Sequence, residues 1–372
     1  MRDDAVGIPL VTPAGWGAGD AEVAPLAAEL VGILTTGRYR VGDGFAAEAA
    51  RLLAQELQLP SDWRVVTFRS GTDALARALA GYGIGAGDRV GVPDLAYHAV
   101  GGVVLMAGAT PVALDVRDDD WNLDPRAVAE TVESLDAVIA VDNYGTPCDR
   151  VTLGGLCRQA GVPLILDACE SLGSAHPDGG PASSVDAVAV SFSFTKPVHA
   201  AGAGGALAVP AGVAERILAS EELLARQVQL PELNAAALVH SWPKLTTNVL
   251  RLRQQYRAYR ELLEPMGLQA QVEHVRGTRL HAPFLLPNSV SAEARGALVA
   301  GLAQAGIEAR PMFPSQSRLL GLGEPPPVSA QVDRRVLCLP TGAGLAVTDV
   351  AGRAASVIEG WLDAQTPASL TA

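Results

Sequence analysis

The stretch Ala187-Val188-Ala189-Val190-Ser191-Phe192-Ser193-Phe194-Thr195-Lys196 joins an apolar run to a lysine. Its first four residues are continuously apolar, as in parallel strands that are covered on both faces. Lys196 is one of only two lysines among the 28 lysine and arginine residues, the other being Lys244. A partly buried lysine, unlike an arginine, can lose its proton and attack a carbonyl carbon. The stretch therefore predicts a buried strand followed by either a covalently reactive amine or an ordinary solvated loop lysine.

The same kind of apolar run occurs five times before this stretch, and helical patterns separate the runs. These patterns predict helices at about 72–82, 97–107, 124–134 and 151–160. Repeated βα units imply an α/β fold with a mostly parallel central sheet and helices on both faces. Ligands of such sheets bind beyond the carboxyl ends of the strands, so functional residues are expected there. The other predicted strands cover residues 65–68, 89–92, 111–114, 137–141 and 163–166.

The pattern of alternating strands and helices changes after about residue 245. An arginine-rich helical segment, 251–263, precedes a smaller α/β segment that ends in an amphipathic helix near 348–363. The proline cluster Pro325-Pro326-Pro327 is interpreted as a loop. A chain of 372 residues is long enough for a large domain and a small one. We therefore predict a large domain over residues 1–245 and a small C-terminal α/β domain over residues 246–372.

Composition disfavours several classes of function. The formal net charge of −12 argues against nucleic acids and anionic membranes as partners. No uncharged apolar stretch of ~18 residues occurs, and the N-terminus lacks a basic segment followed by an apolar run. The six histidines have no HExxH spacing and the four cysteines no CxxC pair, so no metal site is predicted. The cysteines are typical of reduced thiols, which predicts a cytoplasmic protein.

The first predicted strand leads into Ser70-Gly71-Thr72, where a helix is predicted to begin. The free N–H groups and the dipole of a helix N-terminus, together with hydroxyl side chains, suit a phosphate dianion. Serine and threonine are also common as simple helix caps. The triplet by itself leaves a phosphate site and a helix cap as alternatives.

Two further side chains follow strand ends. The run 163–166 leads into Asp167, and a carboxylate at the end of a buried strand is costly unless a cation or a donor satisfies it. A cationic ring nitrogen would do so, and the alternative is an aspartate that caps a loop. Tyr97, at the start of a predicted helix, could stack on a planar cofactor or belong to the core. The components of a pyridoxal-phosphate site are a phosphate site, an aromatic ring that stacks on the cofactor, a carboxylate, and a lysine late in the sequence. They occur here in this order on successive βα units.

Nine segments in this order resemble the DegT/StrS-type nucleotide-sugar aminotransferases, a branch of the fold type I pyridoxal-phosphate enzymes. The resemblance covers nearly the whole chain. It implies the fold type I PLP-transferase architecture, pyridoxal 5'-phosphate as cofactor, and a homodimer in which both subunits line each site. The matching segments are residues 36–39, 70–75, 83–90, 107–112, 143–147, 167–170, 191–196, 233–236 and 339–340.

The resemblance also implies roles for individual residues. Lys196 would bind the cofactor covalently and move a proton between the substrate carbon and the cofactor. Asp167 would keep the pyridine nitrogen protonated. Glu170 stands where the family usually has glutamine or histidine, and sometimes glutamate, close to the cofactor's phenolic oxygen. The remaining cofactor contacts would be Gly71, Thr72 and Ser191 with the phosphate, and Tyr97 over the ring.

The implied activity is a transamination from an amino acid, L-glutamate or L-glutamine, to a keto-sugar, in secondary-metabolite or cell-surface sugar biosynthesis. A cyclitol aminotransferase, a sugar dehydratase and a non-catalytic pyridoxal-phosphate-binding regulator are the alternatives. The family's dehydratases replace the lysine, so the presence of Lys196 counts against a dehydratase. A regulator would be expected to carry a DNA-binding domain, for which this acidic chain has no room.

Four positions depart from the family pattern. Pro197 and Ala203 stand where the family commonly has asparagine and an acidic residue. Gln227 stands in place of an asparagine that reaches the neighbouring subunit's phosphate, and Gln229 in place of a basic residue. Such changes are where an unusual acceptor would be accommodated.

Several other charged residues are weaker candidates. His199 is close to Lys196 in sequence and could touch the substrate. The three arginines Arg253, Arg257 and Arg260 share a helix face, which favours a solvated face over a phosphate site. Arg310 is a candidate for binding a substrate carboxylate or phosphate.

Overall fold

A computed structural model describes residues 20–37, 44–177, 179–224, 229–342, 345 and 347–365. Its main feature is a sheet of seven strands in the order β1-β7-β6-β5-β4-β2-β3. Strands β2 to β6 pair in parallel, whereas β7 is antiparallel to both of its neighbours, β6 and β1. The strands are β1 (Trp63–Phe68), β2 (Arg89–Pro93), β3 (Thr110–Leu114), β4 (Ala137–Val141), β5 (Leu164–Asp167), β6 (Ala187–Ser191) and β7 (Gly205–Pro210).

The sheet is covered on both faces, which explains the continuously apolar runs. All five residues of β4 are buried, and successive side chains point to opposite sides. Val138 and Ala140 belong to one core, whereas Ile139 belongs to the other. The helices around this sheet are α1 (Asp20–Thr36), α2 (Phe45–Glu56), α3 (Gly71–Gly81), α4 (Ala99–Met106), α5 (Pro125–Ala129), α6 (Arg150–Ala160), α7 (Ala211–Leu224) and α8 (Glu232–Ser241).

The predicted α/β class with a mostly parallel sheet is confirmed, and the six predicted strands lie within two residues of observed ones. Strand β7 is missing from the prediction, because its glycine and alanine residues are poor strand formers when judged by sequence alone. The helix predicted at 124–134 is also wrong in extent. The observed helix, α5, ends at Ala129 and is followed by a separate 3₁₀ turn, Val132–Ser134.

The C-terminal part contains a second, antiparallel sheet of three strands in the order β10-β9-β8. Its core combines Phe284 of the sheet with Tyr259, Leu298 and Ala354 from three helices. The long helix begins at Leu245, six residues before the predicted start, and Pro327 opens a helix instead of lying in a loop. The elements are α9 (Leu245–Leu263), β8 (Gln269–Ala270), β9 (Ala282–Leu285), α10 (Ala292–Gln304), α11 (Gln316–Leu320), α12 (Pro327–Arg335), β10 (Val336–Leu339) and α13 (Val347–Gln365). A domain division between residues 245 and 246 remains a prediction.

Candidate active site

Asp167 is the last residue of β5 and lies at the carboxyl edge of the large sheet, with only 5% of its surface exposed. Its Oδ1 atom accepts a hydrogen bond from the Cys169 N–H group at 3.0 Å. Burial raises the pKa of Asp167, and the nearby charge of Lys196 only partly opposes this effect. The carboxylate is therefore suited to a cationic partner, as a strand-end aspartate held ready for a ligand would be.

Lys196 lies in the turn that follows β6, at the same edge of the sheet. Its N–H group donates to the carbonyl of Ser193 at 2.9 Å, and the carbonyl of Pro197 accepts from Nδ2 of Asn248 at 2.7 Å. The Lys196 side chain is 12% exposed, and its Nζ atom is 3.8 Å from Oε1 of Glu170. A solvated loop lysine would not be enclosed in this way.

Glu170 is the buried carboxylate that faces the lysine. Its Oε2 atom accepts from the Tyr144 N–H group at 2.9 Å, and its Oε1 atom is 3.0 Å from Nε2 of His281. Burial acts to raise the pKa of Glu170, but His281, Lys196 and the Tyr144 N–H group outweigh it and hold this pKa below its usual value. Glu170 is thus kept as an anion beside the lysine.

His281 is a site residue that the sequence interpretation missed. It immediately precedes β9 in the C-terminal part, and its ring packs edge-on against Phe313 at 5.8 Å between centroids. Nothing in its local sequence marks it, because its partner Glu170 is far away in the chain. The contact brings the small sheet to the edge of the large one.

The start of α3 forms a close-packed cradle next to this edge. The side chain of Ser70 caps the helix by accepting from the Asp73 N–H group at 3.0 Å. A Cβ atom on Gly71 would lie 2.5 Å from Sγ of Cys169 and 3.1 Å from Cβ of Ser191. The helix N-terminus is therefore pressed onto the ends of β5 and β6, with half-buried Thr72 beside it. The helix-cap alternative is confirmed, and the N–H groups that the cap orients would suit an anion, so the phosphate site stays a prediction.

The cradle also rests on β7, which yields a first test. A Cβ atom on Gly205 would lie 2.3 Å from the carbonyl carbon and oxygen of Ser70, so backbone atoms would have to move. We expect Gly205→Ala to lower the free energy of unfolding by about 3 kcal/mol, measured by urea denaturation. Gly102→Ala is the control, because a Cβ atom there meets nothing within 4 Å. Wild-type stability in Gly205→Ala would contradict this packing.

Tyr97 lies two residues before α4 and is 47% exposed. Its ring is 6.1 Å from the Phe313 ring in an edge-to-face arrangement. Burial raises the pKa of Tyr97, and the negative charge of Glu170 adds to the increase. The ring is thus a partly open aromatic surface beside the cradle and the lysine.

The weaker candidates lie elsewhere or serve the fold. His199 is buried, and its Nδ1 atom accepts from the Ala201 N–H group at 3.3 Å. Arg310 is exposed and pairs with Glu308. Gln229 pairs with Phe68 of β1 through its backbone, whereas Gln227 lies outside the described residues.

One cluster within the described part of the chain has the composition of a metal site, namely Asp119, Asp120 and His274. Arg117 already binds both carboxylate oxygens of Asp119, at 3.0 and 2.9 Å, and His274 binds one of them at 2.8 Å. The cluster is therefore an internally compensated ion-pair network. Among the described residues no helix combines the length and the hydropathy needed to cross a membrane.

Comparisons with known proteins agree with this geometry. The chain is 33% identical over 184 residues to a dTDP-3-amino-3,4,6-trideoxy-α-D-glucose transaminase from Streptomyces venezuelae, which is 48% of this chain and 47% of the relative. It is 35% identical over 151 residues to an L-glutamine:2-deoxy-scyllo-inosose aminotransferase from Streptomyces paromomycinus, covering 40% and 36%. The matched stretches thus span less than half of these two relatives.

Similarity to solved structures extends over almost the whole chain. The crystal structure of S. venezuelae DesV in complex with a ketimine intermediate superposes with a TM-score of 0.82 and 26% identity, covering 95% of this chain and 99% of that one. The model of the DegT/DnrJ/EryC1/StrS aminotransferase family matches residues 28–357. The resemblance inferred from the sequence motifs is confirmed, and this chain belongs to the DegT/DnrJ/EryC1/StrS aminotransferase family.

Proposed function

We propose that this aminotransferase depends on pyridoxal phosphate and moves the amino group of L-glutamate or L-glutamine to a nucleotide-linked keto-sugar. The observation that carries the proposal is the approach of Lys196 Nζ to within 3.8 Å of Glu170 at the edge where Asp167 ends β5. An amine, a buried anion and an unmatched buried carboxylate then share one edge of the sheet. Known relatives in the family act on nucleotide sugars and on a cyclitol, and the family's aminotransferases are pyridoxal-phosphate enzymes.

The residues of the site fit this cofactor. The start of α3 can lie against Cys169 and Ser191 because Gly71 lacks a Cβ atom, which would collide with both. Ser191, Thr72 and the first N–H groups of α3 would bind the phosphate. The Asp167 carboxylate would pair with the protonated pyridine nitrogen, which would compensate the buried charge of Asp167. When bound, the cofactor supplies an aldehyde carbon and an electron-accepting ring.

Side chains and backbone groups of the protein would then bind the cofactor and transfer protons. Lys196 Nζ would bind the cofactor and, once displaced by a substrate amine, take a proton from the substrate carbon and deliver it to the cofactor carbon that had carried the aldehyde. Glu170 would hold the Lys196 ammonium in place, while His281 and the Tyr144 N–H group fix the carboxylate. Tyr97 would cover the ring from the open side.

Two alternatives are less well supported. A dehydratase of this family is disfavoured because Lys196 is present and enclosed in the site. A non-catalytic regulator would not need a lysine and a carboxylate arranged in this way. A keto-cyclitol acceptor remains an alternative within the same chemistry, because one relative uses 2-deoxy-scyllo-inosose. We further propose a cytoplasmic homodimer in which the partner subunit completes each site.

The acceptor can be tested by loading the protein with the aminated cofactor and adding keto compounds one at a time. We expect nucleotide-linked keto-sugars to restore the absorbance of the aldehyde form, and free keto-sugars and keto-cyclitols to do so much more slowly. Restoration by a keto-cyclitol alone would reassign the acceptor. If neither glutamate nor glutamine aminated the bound cofactor, the proposed donor would be wrong.

A further inference from the structure

A pocket of about 470 Å³ lies between α9 and the segment that precedes β9, away from the cradle. Three of its arginines, Arg253, Arg257 and Arg260, come from the helix face that the sequence favours as simply solvated. Arg276 and Arg279 from the facing segment complete the set. Five arginines face three glutamates here, which leaves two positive charges in excess.

The glutamates neutralise mainly the rim of the pocket. Arg257 pairs with Glu261 at 2.8 Å and Arg260 with Glu264 at 2.9 Å, each one helical turn apart. Such exposed pairs contribute little to stability and leave no net charge. The excess charge therefore belongs to the other three arginines.

Arg253 and Arg276 carry charges that no carboxylate of the described chain pairs with. The Arg253 guanidinium donates to the carbonyls of Gly277 at 2.6 Å and Gly173 at 3.2 Å, and Arg276 is exposed at the mouth. Burial lowers the pKa of Arg253, the charges of Arg276 and Arg279 lower it further, and the Glu273 carboxylate partly opposes these effects. These guanidinium groups repel one another, and an anion between them would relieve the repulsion.

Arg279 provides an independent indication of a ligand. It is 1% exposed and stacks on the Tyr256 ring at 4.4 Å, and its Nη1 atom donates to Thr146 and Gln271 at 2.7 and 2.9 Å. Its Nε and Nη2 atoms are buried and have no hydrogen-bond acceptor among the described residues. Nε only approaches Glu273, at 3.5 Å. A buried charged donor without an acceptor is costly, so such groups usually mark a missing partner.

We propose that this pocket binds a doubly charged oxyanion, with a phosphate group as its chemical class. Arg253 and Arg276 would contact the anion directly, and Arg279 would complete the site from its floor. Two excess positive charges match a dianion, and the planar guanidinium groups suit oxyanion geometry. The site is separate from the cradle at Ser70, Gly71 and Thr72, and its existence does not depend on the proposed transamination.

Isothermal titration calorimetry with inorganic phosphate at constant ionic strength tests the proposal, with and without saturating pyridoxal phosphate. We expect one saturable site per chain that persists when the cofactor fills the cradle, and weaker binding of acetate. Arg276→Gln should weaken phosphate binding at least about ten-fold, since a charge-assisted hydrogen bond is lost. Arg253→Gln should do the same.

Arg126→Gln is the matched control, because Arg126 is exposed, lies outside the pocket and carries the same charge. It should bind phosphate as the wild type does. Phosphate binding that disappears when pyridoxal phosphate is added would assign the anion to the cradle and overturn the proposal. Equal affinities in the wild type, Arg276→Gln and Arg253→Gln, or no saturable binding, would also overturn it. Unchanged melting temperatures would show that the variants are folded.

Discussion

Lys196→Ala is expected to abolish transamination, with a loss of about 10⁴-fold or more in kcat, because the proposed nucleophile and proton carrier would be removed together. The amine is enclosed beside Glu170, and the sequence contains only one other lysine, Lys244. In the wild type, borohydride should attach the cofactor to the peptide that contains Lys196, as mass spectrometry can detect. The variant should bind no cofactor covalently.

Two companion variants separate chemistry from charge. Lys196→Arg keeps a cation near Glu170 but cannot bind the cofactor covalently, so it should be as inactive as Lys196→Ala. Lys244→Ala removes the only other lysine, which lies just before α9, and should keep its activity and its borohydride label. Full turnover in Lys196→Ala, or a label on Lys244, would refute the assignment of the lysine.

Asp167→Asn is expected to change activity and stability in opposite directions. The amide can still accept from the Cys169 N–H group through its oxygen, so the local geometry should survive. If Asp167 pairs with the pyridine nitrogen as proposed, that nitrogen would lose its anionic partner, and kcat/KM should fall about 100-fold or more. The unloaded variant should nevertheless be more stable than the unloaded wild type at neutral pH, because a buried, unmatched charge is gone.

The stability difference between Asp167→Asn and the wild type should depend on pH in a definite direction. Burial raises the folded-state pKa of Asp167 above its unfolded value, so its stabilising contribution is present at low pH and is lost as pH rises through the folded pKa. The stability advantage of Asp167→Asn should therefore shrink as the medium is acidified towards the ordinary aspartate pKa. Thermal melts of the two unloaded proteins over this range measure the difference. An advantage that grew on acidification would show that Asp167 is not a strained buried anion.

Asp142→Asn is a suitable control, because Asp142 is also a buried carboxylate at the end of a strand with a raised pKa. Its oxygens are already used within the protein, by Ser171 at 2.5 Å and by the Cys148 N–H group at 2.9 Å. The control should therefore lose stability without a comparable loss of cofactor affinity. Equal losses of activity in Asp142→Asn and Asp167→Asn would contradict the proposed pairing of Asp167 with the cofactor.

The sequence predicts what local patterns encode. The apolar runs gave the parallel strands because both faces of the sheet are covered, and Gly71, Asp167 and Lys196 could be found because each follows such a run. His281 could not be found in this way, since only the packing of the small sheet brings it to Glu170. Strand β7 was not predicted from the sequence for a related reason. Its first residue, Gly205, serves the close approach of Ser70, which is a tertiary requirement that local sequence does not show.

The insertion of β7 between β1 and β6 also has a consequence for how the protein is made. Phe68, at the end of β1, pairs with Gly205 of β7, so the chain must close a very long loop before the sheet edge is complete. The cradle that begins two residues after Phe68 rests on the same glycine. During synthesis, the parallel strands β2 to β6 can pair without β7, but the proposed phosphate site is finished only after β7 has emerged and inserted beside β1. Pyridoxal phosphate would then be captured late, and its binding would lock the last strand to the first.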